Sequence, residues 1–170
     1  MAVPVAMNHL AYQTRDLAAT HRFWTEAVGA ELAGAVRQES MTTSSGDVTA
    51  PFLHVFYALA GGECIAFFDV AKEYAPVPDG LESWTRHVAL GVDSIAEVDA
   101  MAEQIRRHGV EVRGPIDHDG VWYSVYCFDP NGVHVEITHQ SRPLTKQDAD
   151  EARSAFDDWL ADRAAGRLPG

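Results

Sequence analysis

The strongest constraint on this chain is that one pattern of elements is written twice. Residues 8–13 (NHLAYQ) are strand-compatible, and Asp16 then precedes a segment in which Leu17, Thr20, Phe23, Trp24, Ala27 and Val28 recur at helical spacing before Gly29. After a polar stretch from Gln38 to Asp47, two apolar runs at 52–59 and 63–69 flank Ala60-Gly61-Gly62, which reads as a hairpin turn. The order then repeats. Residues 86–91 (RHVALG) read as a strand, and Ser94-Ile95-Ala96-Glu97 is a capping box for a helix with Ile95, Val98, Met101, Ala102 and Ile105 on one face. Strands follow at 110–113, 121–128 and 133–138, the last two joined by Asp129-Pro130-Asn131-Gly132. The two first strands begin near His9 and His87, 78 positions apart.

The expected fold is therefore α+β, two paired β-α-β-β-β modules at about 6–70 and 84–140 with their sheets curved around one metal-centred cavity, either within a chain or across a swapped dimer, inside a domain spanning 1–140. Pro76, Pro78 and Gly80 mark residues 71–83 as the linker. Residues 141–170 form a C-terminal helical extension, in which Thr145 caps a helix striped with Ala149, Ala152, Phe156, Trp159 and Leu160. That stripe packs on the body or on a second subunit, and a homodimer is expected.

Composition narrows the partners. With 25 Asp and Glu against 13 Lys and Arg the net charge is −12, and no basic cluster offers a footprint for nucleic acid or an anionic membrane. The start MAVPVAMNHL has no basic region ahead of a long apolar stretch, which points to a cytoplasmic protein. Cys64 and Cys127 lack CxxC spacing and read as reduced packing residues.

Strand alternation lets His9, His87 and Glu136 point to one concave surface while Leu10, Val88 and Val135 face the helices. Two imidazoles and a carboxylate from different strands are the set that binds divalent iron and leaves positions open for other ligands. Phe56, Phe68, Trp84, Trp122 and Tyr123 are candidates for an aromatic lining, and His134 shares strand parity with Glu136. The polar loop 38–50 is placed to close over a substrate.

The paired modules, the opening NHLAYQTRDLAATHRFWTEAVGAEL, the second start RHVALGVDS and above all YCFDPNGVHVEI resemble the vicinal oxygen chelate superfamily. That group includes glyoxalase I, bleomycin-resistance proteins, epimerases and extradiol ring-cleaving dioxygenases. The extradiol branch is closest in pattern. It implies Fe(II) as cofactor, with Mn, Ni, Co or Zn as alternatives, and a catechol-like aromatic substrate together with O2. A glyoxalase-like site would take a further carboxylate where GECIAFF matches GVHVEIT, and that place is Ala66. Glu63, three residues earlier, would need a bulge to become a fourth ligand. Tyr126, in Y-x-x-D-P-N-G-x-x-x-E, occupies the place of the tyrosine that hydrogen-bonds substrate oxygen in extradiol enzymes. The same reading needs an acid or base, for which His118, expected on the DHDG loop, is preferred over His54. The other readings are a glyoxalase-like isomerase, lyase or epimerase with Glu63 or Glu136 as base, and a metal-free drug-binding protein.

Overall fold

In a computed structural model, which describes residues 3–72 and 82–168, the two modules have the same strand order and the same helix placement. The first contains β1 (His9–Thr14), α1 (Leu17–Arg22), β2 (Glu31–Gln38), β3 (Phe52–Ala58) and β4 (Cys64–Val70). The second contains β5 (Val88–Gly91), α2 (Ile95–Arg107), β6 (Arg113–His118), β7 (Trp122–Phe128) and β8 (His134–Gln140). Each makes a four-stranded mixed sheet, ordered β1-β4-β3-β2 and β5-β8-β7-β6. The first strand of each module lies at a sheet edge and pairs parallel with the last. The linker expected at 71–83 falls largely outside the described residues.

Local chemistry places the helices. Asp16 caps α1 by accepting from Ala19 N at 2.8 Å. The helix then widens into a π turn over Phe23–Ala27, where Val28 N donates to Phe23 O, and stops at Gly29 with a φ of 86°. Ser94 and Glu97 form the expected capping box on α2. The helix α3 (Lys146–Ala164) starts at a second box, Thr145 with Asp148, and none of its residues is buried. Among the described residues no helix is long and apolar enough to cross a membrane.

Both modules drain into one hydrophobic core. Val55, Tyr57, Ile65 and Phe67 of the first sheet share it with Val88, Leu90, Val125, Val135 and Ile137 of the second, and Trp24, Val98 and Ile105 fill the space from the helices. Burial of these apolar faces, at roughly 25 cal/mol per Å², is the main force joining the modules. A polar seam gives the joint its register. Gln104 Nε2 donates to Ala27 O at 3.0 Å, Asn131 Nδ2 to Thr20 Oγ1 at 3.0 Å, and Trp24 Nε1 to Asp129 Oδ2 at 3.4 Å. Asp129 is buried and also accepts from Asn131 N and Val133 N, both at 2.8 Å, so the DPNG turn ties the second sheet to α1.

Two strands depart from the sequence expectation. Residues 31–38 form an exposed edge strand, and the strand expected at 110–113 runs instead from Arg113 to His118. His118 therefore ends a strand paired with Trp122 and does not sit on a free loop. Its position depends on a bulge between Arg113 and Ile116. There Gly114 has a φ of 102°, and a Cβ would approach Ser124 O to 2.9 Å.

Candidate functional site

Because side chains alternate along a strand, the face opposite the core in the second sheet carries Ser124, Tyr126 and Phe128 from β7, and His134, Glu136 and Thr138 from β8. Register sets Tyr126 directly across from Glu136, and Glu136 across from Ala89. His87 lies one residue before β5, on the same face as Ala89.

Four side chains form a continuous contact across this sheet. His87 Nε2 is 2.8 Å from Glu136 Oε2, and Tyr126 donates its hydroxyl hydrogen to Glu136 Oε1 at 3.1 Å. His118 Nε2 lies 2.8 Å from the Tyr126 oxygen and donates to it in the tautomer that leaves the phenol proton on the Glu136 side. Glu136 is only 7% exposed, a burial a carboxylate tolerates when both oxygens are engaged. Burial, then the charge and hydrogen bond of Glu136, push the Tyr126 phenol above its ordinary value. At neutral pH Tyr126 is therefore a hydrogen-bond donor.

The first sheet presents the duplicated half in reduced form. Its face opposite the core carries His9, His54, Phe56, Ala66 and Phe68. Phe56 pairs with Ala66 as Tyr126 pairs with Glu136, so the phenol and carboxylate of one half are replaced by a ring and a methyl group in the other. His54 stacks on Phe68 at 3.6 Å between ring centres and 15° between planes. His9 is 6.4 Å from His54 and 5.6 Å from Phe56, and its Nδ1 contacts Asn8 Oδ1 at 2.7 Å. Burial first, and His9 second, hold His54 below the ordinary histidine value, and its Nε2 is buried with no hydrogen-bond partner among the described residues.

The structure thus brings together His87, Glu136, Tyr126 and His118, and puts His9 with His54 on the other sheet. Among the described residues of one chain, no three His, Cys, Asp or Glu side chains gather as a metal-holding group. Glu63 folds over Gly61 in the β3–β4 turn and lines a groove with Leu10, Cys64 and Met101 that contains none of His9, His87 and Glu136.

Two spaces open on the second sheet. A chamber of about 330 Å³ is lined by His87, His118, Trp122, Tyr126, Glu136 and Thr138. A cavity of about 820 Å³ shares His87, His118 and Tyr126 with it and extends over Trp84, Val110, Ile116, Phe128 and His134. Of the aromatic candidates, Trp84 and Trp122 line these spaces and Phe56 and Phe68 lie on the first sheet. Tyr123 does not line them. It packs against the core and donates to Asp99 Oδ1 at 3.2 Å. Sequence reasoning missed Phe128, although its parity with Tyr126 on one strand is a signal that finds it. Ile116 had none, because the bulge in β6 decides where it points.

Residues 6–137 match the family model for the Glyoxalase/Bleomycin resistance protein/Dioxygenase superfamily. No curated protein matches the chain. Among solved structures, a glyoxylase/bleomycin resistance protein/dioxygenase domain from Frankia sp. EAN1pec superposes with a TM-score of 0.63 at 15% identity, covering 81% of this chain and 99% of that one. A fosfomycin resistance protein from Listeria monocytogenes, complexed with Mn(II), gives 0.54 at 21% identity, with 85% and 98% covered. An antibiotic binding protein from Streptomyces sp. CB03234 gives 0.55 at 20% identity, with 83% and 99% covered. Two four-stranded sheets in duplicate and a match over most of its length show that this chain belongs to the glyoxalase, bleomycin resistance protein and dioxygenase superfamily.

Proposed function

We propose that the protein is an Fe(II)-dependent oxygenase of extradiol type, acting on an aromatic substrate through two neighbouring oxygens, with its site completed between two copies of the chain. The supporting observation is the split itself. One sheet offers His87 and Glu136 beside a protonated Tyr126, and the other offers His9 beside His54, whose buried Nε2 lacks a partner. The donors suit a divalent metal, since imidazole nitrogen with carboxylate oxygen is the set iron oxygenases use. His87 and Glu136 of one chain and His9 of a second would hold it. Bound there, Fe(II) would supply redox activation of dioxygen next to the substrate.

The remaining residues have roles that follow from their own geometry. Tyr126 donates a hydrogen bond to an ionised substrate oxygen, which its raised pKa suits it to do. His118, in contact with the Tyr126 oxygen, takes or returns the substrate proton. Trp84 and Phe128 cover one side and exclude water.

Oxygen uptake by protein loaded anaerobically with Fe(II), given a panel of catechols, tests this reading, with His87→Ala as control. The expected result is uptake with a yellow ring-opened product, lost in the variant. Turnover without oxygen consumption would favour the isomerase or lyase reading. Binding without turnover would favour a ligand-binding protein, a reading the large cavity and the likeness to an antibiotic binding protein support.

A further inference from the structure

The two spaces over the second sheet differ in kind as well as in size. The smaller one is ringed by groups able to handle protons and charge, His87, His118, Tyr126 and Glu136. The larger one continues from the same His87, His118 and Tyr126 but is walled mainly by apolar side chains, Trp84, Val110, Ile116 and Phe128. A ligand with its reactive end at the first must run its body into the second.

Volume limits what that body is. A cavity of about 150 Å³ holds one benzene ring. The larger space, at about 820 Å³, is more than five times that and falls in the range of drug-sized ligands. Within one chain, a single-ring catechol would leave most of it to water against exposed aromatic surface. The walls also carry flat faces. Phe128 and His134 stack with ring centres 4.8 Å apart and planes at 20°, His134 lies 5.4 Å from the Tyr126 ring, and Trp84 is 70% exposed at the rim. Exposed rings arranged this way offer stacking surface to a planar guest.

Charge limits it further. Arg113 is the one Lys or Arg among the described residues lining the larger space, and it is already engaged with Glu111, its Nε 3.1 Å from the carboxylate. The carboxylate of Glu111 lines the same space, and the chain as a whole carries −12. An anionic body would enter against that field.

We infer that the natural ligand is a planar aromatic larger than a single ring and without an anionic substituent on its body, inserted with a pair of neighbouring oxygens at the His87–Tyr126 end and its ring system between Trp84 and Phe128. This rests on the reading of the His87–Tyr126 cluster as the reactive end. It concerns ligand size and charge, so it is measured without turnover.

The experiment is calorimetric titration of metal-stripped protein with four probes: catechol, 2,3-dihydroxynaphthalene, 1,2-dihydroxyanthraquinone and its 3-sulfonate. Each added ring buries on the order of 50 Å² of apolar surface, so Kd is expected to fall about tenfold per ring. The sulfonate, which carries one negative charge more than its parent, is expected to bind at least about tenfold more weakly. Phe128→Ala should erase most of the advantage of the three-ring probe over catechol. Trp84→Ala, at an exposed position where folding is not at stake, should reduce the same advantage by about tenfold. Equal affinity for one and three rings, tighter binding of the sulfonate, or a ring-size preference untouched by both variants would overturn the inference. Failure of the oxygenase reading shows instead as absent oxygen uptake with this order of affinities intact.

Discussion

Tyr126 is the residue on which the site turns, because its one hydroxyl touches both Glu136 and His118. Replacing it with phenylalanine keeps the ring and removes the bridge. Tyr126→Phe is expected to lower kcat by about 10²-fold, the scale of a lost proton-transfer partner, while Tm stays within a few degrees. A drop in Tm matching the drop in rate would assign Tyr126 to packing instead. His54 gives a second expectation at this scale. Its folded pKa lies below the ordinary value of 6.5, so the unfolded chain takes up the proton first. The stability tied to neutral His54 is whole above about pH 7 and is lost as pH falls through 6.5 toward the lower folded value. His54→Phe should therefore flatten the fall in Tm between about pH 7 and pH 5, read by calorimetry. Both residues were visible in the sequence, Tyr126 through its spacing from Glu136. Their partners were not equally so. That His118 bonds Tyr126 depends on the bulge at Gly114, and that His54 lacks a partner depends on Phe68 stacking over it, neither of which is encoded in local spacing.

Among the elements, the DPNG turn does more than reverse the chain. Asp129 is buried with its oxygens taking hydrogen bonds from Asn131, Val133 and Trp24, the last across the module joint. Asp129→Ala strands those donors, at an expected cost of about 3 kcal/mol and roughly 10 °C in Tm for a chain this size. A change under about 2 °C would show that water replaces the carboxylate. α3 makes the opposite case. It buries no residue, so its caps carry an unusual share of its stability, and Asp148 is both capped to Thr145 and held by Arg142, which keeps its carboxyl well below the usual range. Thr145→Ala is expected to reduce the helical circular-dichroism signal while leaving the Tm of the two modules within about 2 °C. A parallel loss of Tm would mean that α3 is packed in solution. The strongly patterned elements could be read in advance, including the capping box at Ser94 and the cap at Thr145, whose reciprocal partner Asp148 only the structure adds. The edge strands could not. β2 (ELAGAVRQ) and β6 (RGPIDH) are almost wholly exposed, so neither shows the alternation that burial imposes, and only pairing with β3 and β7 makes them strands.

For the whole molecule, the repeated pattern made two modules legible, but not which faces meet. That choice is made by the shared core. The helix-facing side of each sheet is buried in it, so the faces carrying His9 and His87 are both the outer ones. On the proposed reading, a site needing His9, His87 and Glu136 together would form by bringing the first sheet of one chain to the second sheet of another, with the edge strands β1 and β5 at that seam. Mixing two inactive variants tests this. A dimer of one His9→Ala chain and one Glu136→Ala chain contains one site with both defects and one with neither. Random reassortment makes half of the dimers mixed, each with one good site of two, so about a quarter of wild-type activity should return. The readout is oxygen uptake after the two variants are denatured together and refolded, compared with each refolded alone. Activity confined to the mixture establishes a site shared between chains. Its absence, with dimers present by light scattering, would place all three groups in one chain and require the two sheets to rearrange around the core that now joins them.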